Sequence, residues 1–144
     1  MGKKRIIRKS GGSVDQGLKS RSLARVAKKN IVQGTLYIQA TYNNTKVLLT
    51  DRAGNAVAWS SSGSLGFSGA KKGTPFAAAK VGELVGDKAN IIGVKEVEVI
   101  IRGVGAGRES TLRGFVGKGI EVSKISDHTP VPHNGPRSPK ARRV

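Results

Sequence analysis

Residues 34–42 alternate in character: Leu36, Ile38, Ala40 and Tyr42 fall on one side, with Thr35, Tyr37, Gln39 and Thr41 on the other. This two-residue period predicts a half-buried strand. The polar cluster Asn43, Asn44 and Thr45 ends it, and residues 46–51 resume with Val47, Leu48, Leu49 and Thr50. So short a link predicts an antiparallel hairpin, with Asn tolerating the left-handed backbone that tight turns require. A second turn signal, Arg52-Ala53-Gly54-Asn55, leads to residues 56–61, where Val57 and Trp59 share a face. Three antiparallel strands in a meander are expected.

Residues 60–73 are rich in Ser, Gly and Lys without periodicity and read as a loop carrying Lys71 and Lys72. Thr74-Pro75 then opens a helix, since Thr caps well and Pro at the first helical position loses no hydrogen bond. Ala77, Ala78, Val81, Leu84, Val85 and Ala89 form its apolar side, and Lys80, Glu83 and Asp87 its polar side. Gly82 and Gly86 each weaken a helix by about 1 kcal/mol relative to Ala, so close approach to the sheet is the expected reason for them. Residues 94–102 alternate again through Val97, Val99 and Ile101. A glycine-rich link and a helix at 108–118 follow, with Leu112, Phe115 and Val116 at helical spacing, and then a last strand at 120–126. Crossover-length helices favour parallel pairing and lie against the sheet. The expected fold is α/β: a mixed five-stranded sheet, β-β-β-α-β-α-β, with helices on its faces and extended basic N- and C-terminal tails.

Charge sharpens this organisation. The 144 residues carry 26 Lys plus Arg against 9 Asp plus Glu, a formal charge of +17. Residues 1–33 hold ten cations and one acid, 34–127 twelve and eight, and 128–144 four and none. Three segments follow: a basic arm at 1–33, a core domain at 34–127 and a Pro-rich basic tail at 128–144. Arms with this excess are the arrangement expected for tracking phosphates, here through Lys3, Lys4, Arg5, Arg8 and Lys9 and through Arg137, Lys140, Arg142 and Arg143. The absence of Cys removes a disulfide framework and thiolate metal sites. No run of about 18 apolar residues predicts a transmembrane helix, and no apolar segment follows the basic start as in a secretory signal. A mitochondrial transit peptide is the competing reading of the first residues.

Catalytic chemistry finds little to work with. The core acids are Asp51, Glu83, Asp87, Glu96, Glu98, Glu109, Glu121 and Asp127, and the first strand carries none. His128 and His133 lie in the polar tail, so no metal or acid–base site, and no cofactor, is expected. Gly103-Val104-Gly105-Ala106-Gly107-Arg108-Glu109 follows a strand and opens a helix, where backbone N–H groups bind phosphate. It lacks the third glycine of a dinucleotide fingerprint, and no P-loop occurs. An RNA phosphate held by Gly107 and Arg108 fits it, with a plain strand-to-helix turn as the bland alternative. The few aromatic residues, Phe67, Phe76, Phe115, Tyr37, Tyr42 and Trp59, fall mostly in expected core elements. Recognition of shape and phosphate is therefore expected in preference to base stacking on the sheet.

Six ordered motifs carry a resemblance. They are Ala40-Thr41-Tyr42-Asn43-Asn44-Thr45, Thr50-Asp51-Arg52-Ala53-Gly54-Asn55-Ala56, Ser61-Ser62-Gly63-Ser64-Leu65-Gly66-Phe67, Gly73-Thr74-Pro75-Phe76-Ala77-Ala78, Gly107-Arg108-Glu109-Ser110 and Thr129-Pro130-Val131-Pro132-His133-Asn134-Gly135. In these the chain resembles the small-subunit ribosomal protein S11 family in its bacterial form. The resemblance implies a ribonuclease-H-like α/β/α core on the platform of the small subunit. It implies binding to 16S-type ribosomal RNA near the messenger RNA exit, where the mRNA leader pairs with ribosomal RNA. It also implies contact with platform proteins seven, eighteen and twenty-one.

Carried over by motif, the RNA-facing residues are Asn43, Asn44 and Thr45, Arg52, the loop 62–73 including Ser62, Gly63, Lys71, Lys72 and Gly73, Gly107 with Arg108, and the tail from His133 and Asn134 through Arg143. Departures from the family pattern are Val104 and Ala106 in place of loop prolines, Pro136 and Ser138 for a usual Cys and Pro, and Ala141 within the basic end. The substituted loop is expected to be less rigid. Asn134-Gly135 is also an unhindered pair for succinimide formation and hence for isoaspartate. The expected role is a structural, cytoplasmic ribosomal component without membrane contact or self-association, with an organellar ribosome as the second location. The alternatives are a free architectural nucleic-acid binder and a ribonuclease-H-like nuclease.

Overall fold

A computed structural model describes residues 15–26 and 30–141. Its elements are α1 (Gln16–Ala24), β1 (Gln33–Ala40), β2 (Thr45–Asp51), β3 (Ala56–Ser61), α2 (Pro75–Ile92), β4 (Glu96–Arg102), α3 (Gly107–Val116) and β5 (Glu121–Asp127). Two short 3-10 turns, Gly63–Leu65 and Gly69–Gly73, interrupt the segment expected to be loop. The five strands form one mixed sheet in the order β3-β2-β1-β4-β5, antiparallel on the meander side and parallel from β1 to β5.

Alternation fixes which side of each strand is covered. Leu36 and Ile38 of β1, Val47 and Leu49 of β2, and Val97 and Val99 of β4 are buried together with Val81, Leu84 and Val85 of α2 and Phe115 of α3. Leu65 and Phe67 close this core from the 3-10 segment, and Phe67 meets Phe76 edge-on at 6.2 Å between centroids. The crossovers β3–α2–β4 and β4–α3–β5 step across the sheet in the same direction. Right-handed connection therefore puts both helices on the same face.

They pack there backbone to backbone. A Cβ added at Gly82 would collide with the Thr111 carbonyl oxygen, and one at Gly114 would stand 2.5 Å from the Ala79 oxygen. The close approach expected of Gly82 is thus to α3 rather than to the sheet. Gly86 faces the same way, against the side chain of Lys118.

Other particulars depart from the sequence pattern for local reasons. The 41–44 hairpin turn forms without left-handed Asn, since Asn134 is the one described non-glycine residue with positive φ. The Thr41 hydroxyl closes the turn instead, donating to the Asn44 carbonyl at 3.0 Å and accepting from the Asn44 N–H at 3.1 Å. In the next turn Asp51 accepts from the Asn55 N–H at 2.8 Å and its side-chain amide at 2.9 Å, and Gly54 takes the left-handed backbone.

Within the stretch expected to be only a basic arm, α1 is capped by Asp15, whose carboxylate accepts from the Gly17 N–H at 2.9 Å. The helix is tied down by Lys19, 3.4 Å from the Asp87 carboxylate, and by the Asp15 N–H on the Leu65 carbonyl at 3.2 Å. Tyr42 lies exposed in the first hairpin turn, and Trp59 is 61% exposed because Ala58 and Ser60 are the buried positions of β3, with Val57 only half-buried. The second face of the sheet carries no described helix. Trp59, Leu48, Tyr37 and Ile100 follow one another across it as cross-strand neighbours.

Candidate nucleic-acid interface

Strands β1, β3, β4 and β5 all point the same way, so the segments that leave their C-terminal ends gather at one edge of the sheet. Such an edge is where ligands bind in open α/β folds, because helix N-termini and loop N–H groups converge there. Asn43, Asn44 and Thr45 follow β1. Ser62, Gly63, Lys71, Lys72 and Gly73 follow β3, and Gly107 and Arg108 follow β4.

Close packing, rather than chain proximity, joins these segments. A Cβ on Gly73 would strike the Tyr42 carbonyl, and one on Gly105 the Thr41 carbonyl. One on Gly107 would strike the Thr45 hydroxyl and stand 2.7 Å from Ala78 Cβ. The Ser62 N–H donates to the Thr45 carbonyl at 3.0 Å and the Gly105 N–H to the Ala40 carbonyl at 2.9 Å. The glycines of 103–107 therefore serve contact with β1 and β2, while Val104 and Ala106, at the positions of the family's prolines, face outward.

Two polar atoms at this edge, Asn44 Oδ1 and Ser62 Oγ, are buried with no hydrogen-bond partner in the described structure. Buried polar atoms are costly to leave unpaired, so they are natural points for a partner's donor to reach. Helix α3 starts here with no side-chain cap.

Arg108 is turned inward. Its guanidinium donates to the Gly103 carbonyl and the Asp127 carboxylate, and at 3.1 Å to the Thr129 hydroxyl. Asp127 also accepts from the Thr129 N–H at 2.9 Å and hydroxyl at 2.6 Å. These bonds, Thr129 first and Arg108 after it, hold the Asp127 carboxyl down at about 2. The cluster clasps the glycine loop to the start of the tail, and the His128 N–H continues it on the Ile101 carbonyl at 2.9 Å. Beyond it His133, Asn134, Arg137 and Lys140 run exposed, with Asn134 left-handed at φ 52°.

Two groups of expected residues stand elsewhere. Arg52 lies exposed on the 51–55 turn, at the opposite end of the sheet from the glycine loop. Lys3, Lys4, Arg5, Arg8, Lys9, Arg142 and Arg143 fall outside the described residues. The acids are dispersed: Asp51 staples a turn, Glu83 pairs with Lys80 at 2.9 Å, Asp87 with Lys118 at 2.9 Å, and Glu109 with Arg113 at 2.7 Å.

Sequence patterning missed Arg21, Arg25 and Lys88, which line a cleft between α1 and β3. The signal that was present is Asp15 as an N-cap followed by Leu18 and Leu23. No described helix is long and apolar enough to cross a membrane.

A family model described as ribosomal protein S11 matches residues 34–143, which takes in the sheet apart from its first residue, Gln33, together with α2, α3, the glycine loop and most of the tail. The chain belongs to the ribosomal protein S11 family, structural components of the small ribosomal subunit that bind ribosomal RNA.

Proposed function

We propose that the chain is a bacterial platform protein of the small subunit, bound to 16S-type RNA near the path by which messenger RNA leaves. Within it, residues 1–33 act as a basic arm, 34–127 as the mount and 128–144 as a second arm. The observation that supports this reading is the gathering of the 41–45 turn, the Lys71–Lys72 loop, the glycine loop and the basic tail at one sheet edge, with two orphaned buried polar atoms among them. Lys72, Arg137 and Lys140 supply phosphate contacts there, Asn44 and Ser62 accept or donate to sugar and base edges, and Arg108 positions the loop and tail by its internal clasp.

Arg52, at the far end, meets a separate RNA segment. The neighbours are platform proteins seven, eighteen and twenty-one. The mRNA leader passes the tail, and the location is the cytoplasmic ribosome.

Sedimentation of a cell extract at moderate salt, followed by a cross-link map from Lys and Arg residues to RNA and protein, tests this. The chain is expected to travel with small subunits and to cross-link from 71–73 and 137–143 to 16S-type RNA and to the platform proteins. A freely diffusing pool, or cross-links confined to nucleoid DNA, would replace it with an architectural DNA-binding role.

A further inference from the structure

Helix α1 and strand β3 enclose a cleft of about 510 Å³ to which the glycine loop contributes no residue. Arg21 of α1 and Arg25, which caps its C-terminus, border it, as does Lys88 of α2, and Ser22, Ser60 and Ser64 add hydroxyl groups. None of its lining residues is acidic. Lys88 is 8% exposed and its ammonium donates to one backbone acceptor, the Trp59 carbonyl at 2.9 Å. An ammonium has three N–H donors, so two are left for a ligand that enters the cleft Lys88 lines.

The neighbouring carboxylate, Asp87, is bridged to Lys19 and Lys118 instead, and Arg21, Arg25 and Lys88 form no ion pair among the described residues. Burial lowers the Lys88 pKa, the direction expected of a cation without a counter-charge. One buried and two exposed cations bordering a cleft that no carboxylate lines make a local positive potential that favours an entering anion.

Trp59 borders both this cleft and a depression on the open face of the sheet. Its ring is exposed, and beyond it Leu48, Tyr37 and Ile100 form a shallow apolar depression of about 370 Å³. Lys46 and Arg102 lie on the next cross-strand row, either side of Gln39. An anion-binding site next to an exposed indole, with further apolar surface behind it, complements a nucleotide, which carries charge at one end and a flat aromatic ring at the other. An acidic peptide would answer the charge but has no general use for the indole face.

We infer that Arg21, Arg25 and Lys88 hold a phosphate, and Trp59 stacks the attached base, of one unstacked nucleotide in single-stranded RNA. The inference rests on the RNA-binding reading above and adds to it a stacking site on the face where base recognition was not expected.

Trp59 is the single tryptophan of the chain, so its fluorescence reports on this site alone. The full chain is titrated with a short oligoribonucleotide of mixed sequence, with an abasic strand of the same length, and with oligoglutamate. Saturable quenching by the first and not by the abasic strand is expected, though both bind the basic tails. Arg21→Ala with Arg25→Ala, both exposed at the C-terminal end of α1, is expected to weaken the quenching transition about tenfold or more. Trp59→Leu is expected to weaken binding of a labelled mixed strand by about tenfold, the usual scale for loss of one stacked base.

Absent or equal quenching by the two strands, in a chain that still binds ribosomal RNA, overturns the nucleotide site and leaves the proposed function standing. Tighter quenching by oligoglutamate than by RNA makes the cleft a protein-docking site and likewise overturns it. A chain that ignores ribosomal RNA as well removes both readings.

Discussion

The guanidinium of Arg108 is bonded to the carboxylate of Asp127, so the first turn of α3 is tied to the last residue of β5. Through Thr129 the same clasp fixes where the basic tail leaves the sheet.

A positioning role for Arg108 predicts a result that a direct phosphate contact does not. Asp127→Asn removes a negative charge from a cationic protein, which by field alone would strengthen RNA binding. The clasp predicts the reverse: Asp127→Asn and Arg108→Ala should both weaken affinity for ribosomal RNA and both speed amide exchange at His128 and Thr129. Affinities measured at two salt concentrations beside exchange rates check this. Tighter binding by Asp127→Asn would show that the tail needs no anchor.

Asp127 also sets an expected acid dependence. Its folded pKa of about 2 lies below the ordinary 3.8, so the stabilising contribution of the carboxylate is complete above about 3.8 and is lost as pH falls through about 2. A carboxyl-carbon NMR titration should place the midpoint near 2. Thr129→Val, which removes the largest cause, should move it upward; a midpoint already at the ordinary value in the parent chain would contradict the clasp.

Gly82→Ala is expected to destabilise the fold although Ala favours helix by about 1 kcal/mol over Gly. The new methyl would meet the Thr111 carbonyl, and overpacking of this kind costs about 1–3 kcal/mol, so the net effect is loss. Urea unfolding measures it. Gly93→Ala, where φ is +94° and a Cβ meets nothing within 4 Å, separates backbone strain from collision: loss there has a conformational cause alone.

Removal of residues 140–144 deletes Lys140, Arg142 and Arg143. If each meets one phosphate, the slope of log affinity against log salt should shrink by about 0.7–0.9 for every phosphate left without its cation. Nitrocellulose or anisotropy binding over a salt series reads it, and an unchanged slope would show that the end of the tail neutralises no phosphate.

Much of this molecule is legible without coordinates because periodicity and turn chemistry are local. Alternation at Leu36, Ile38 and Ala40 and at Val97, Val99 and Ile101, with Thr74-Pro75 at the start of α2, determines the strands, the helix and the buried side of each. The charge excess of the termini likewise follows from composition. Position in space is another matter. That Gly82 answers to α3, that Arg108 turns inward to Asp127, and that Trp59 faces solvent depend on which surfaces the right-handed crossovers leave covered.

A strand's sequence says that its two faces differ. Only the packing of α2 and α3 on a single side decides that the other face stays open, and only the docking of α1 decides that Arg21, Arg25 and Lys88, 67 positions apart at their extremes, border one cleft. The physical reason is that burial and charge convergence are properties of long-range contacts, which no local pattern encodes.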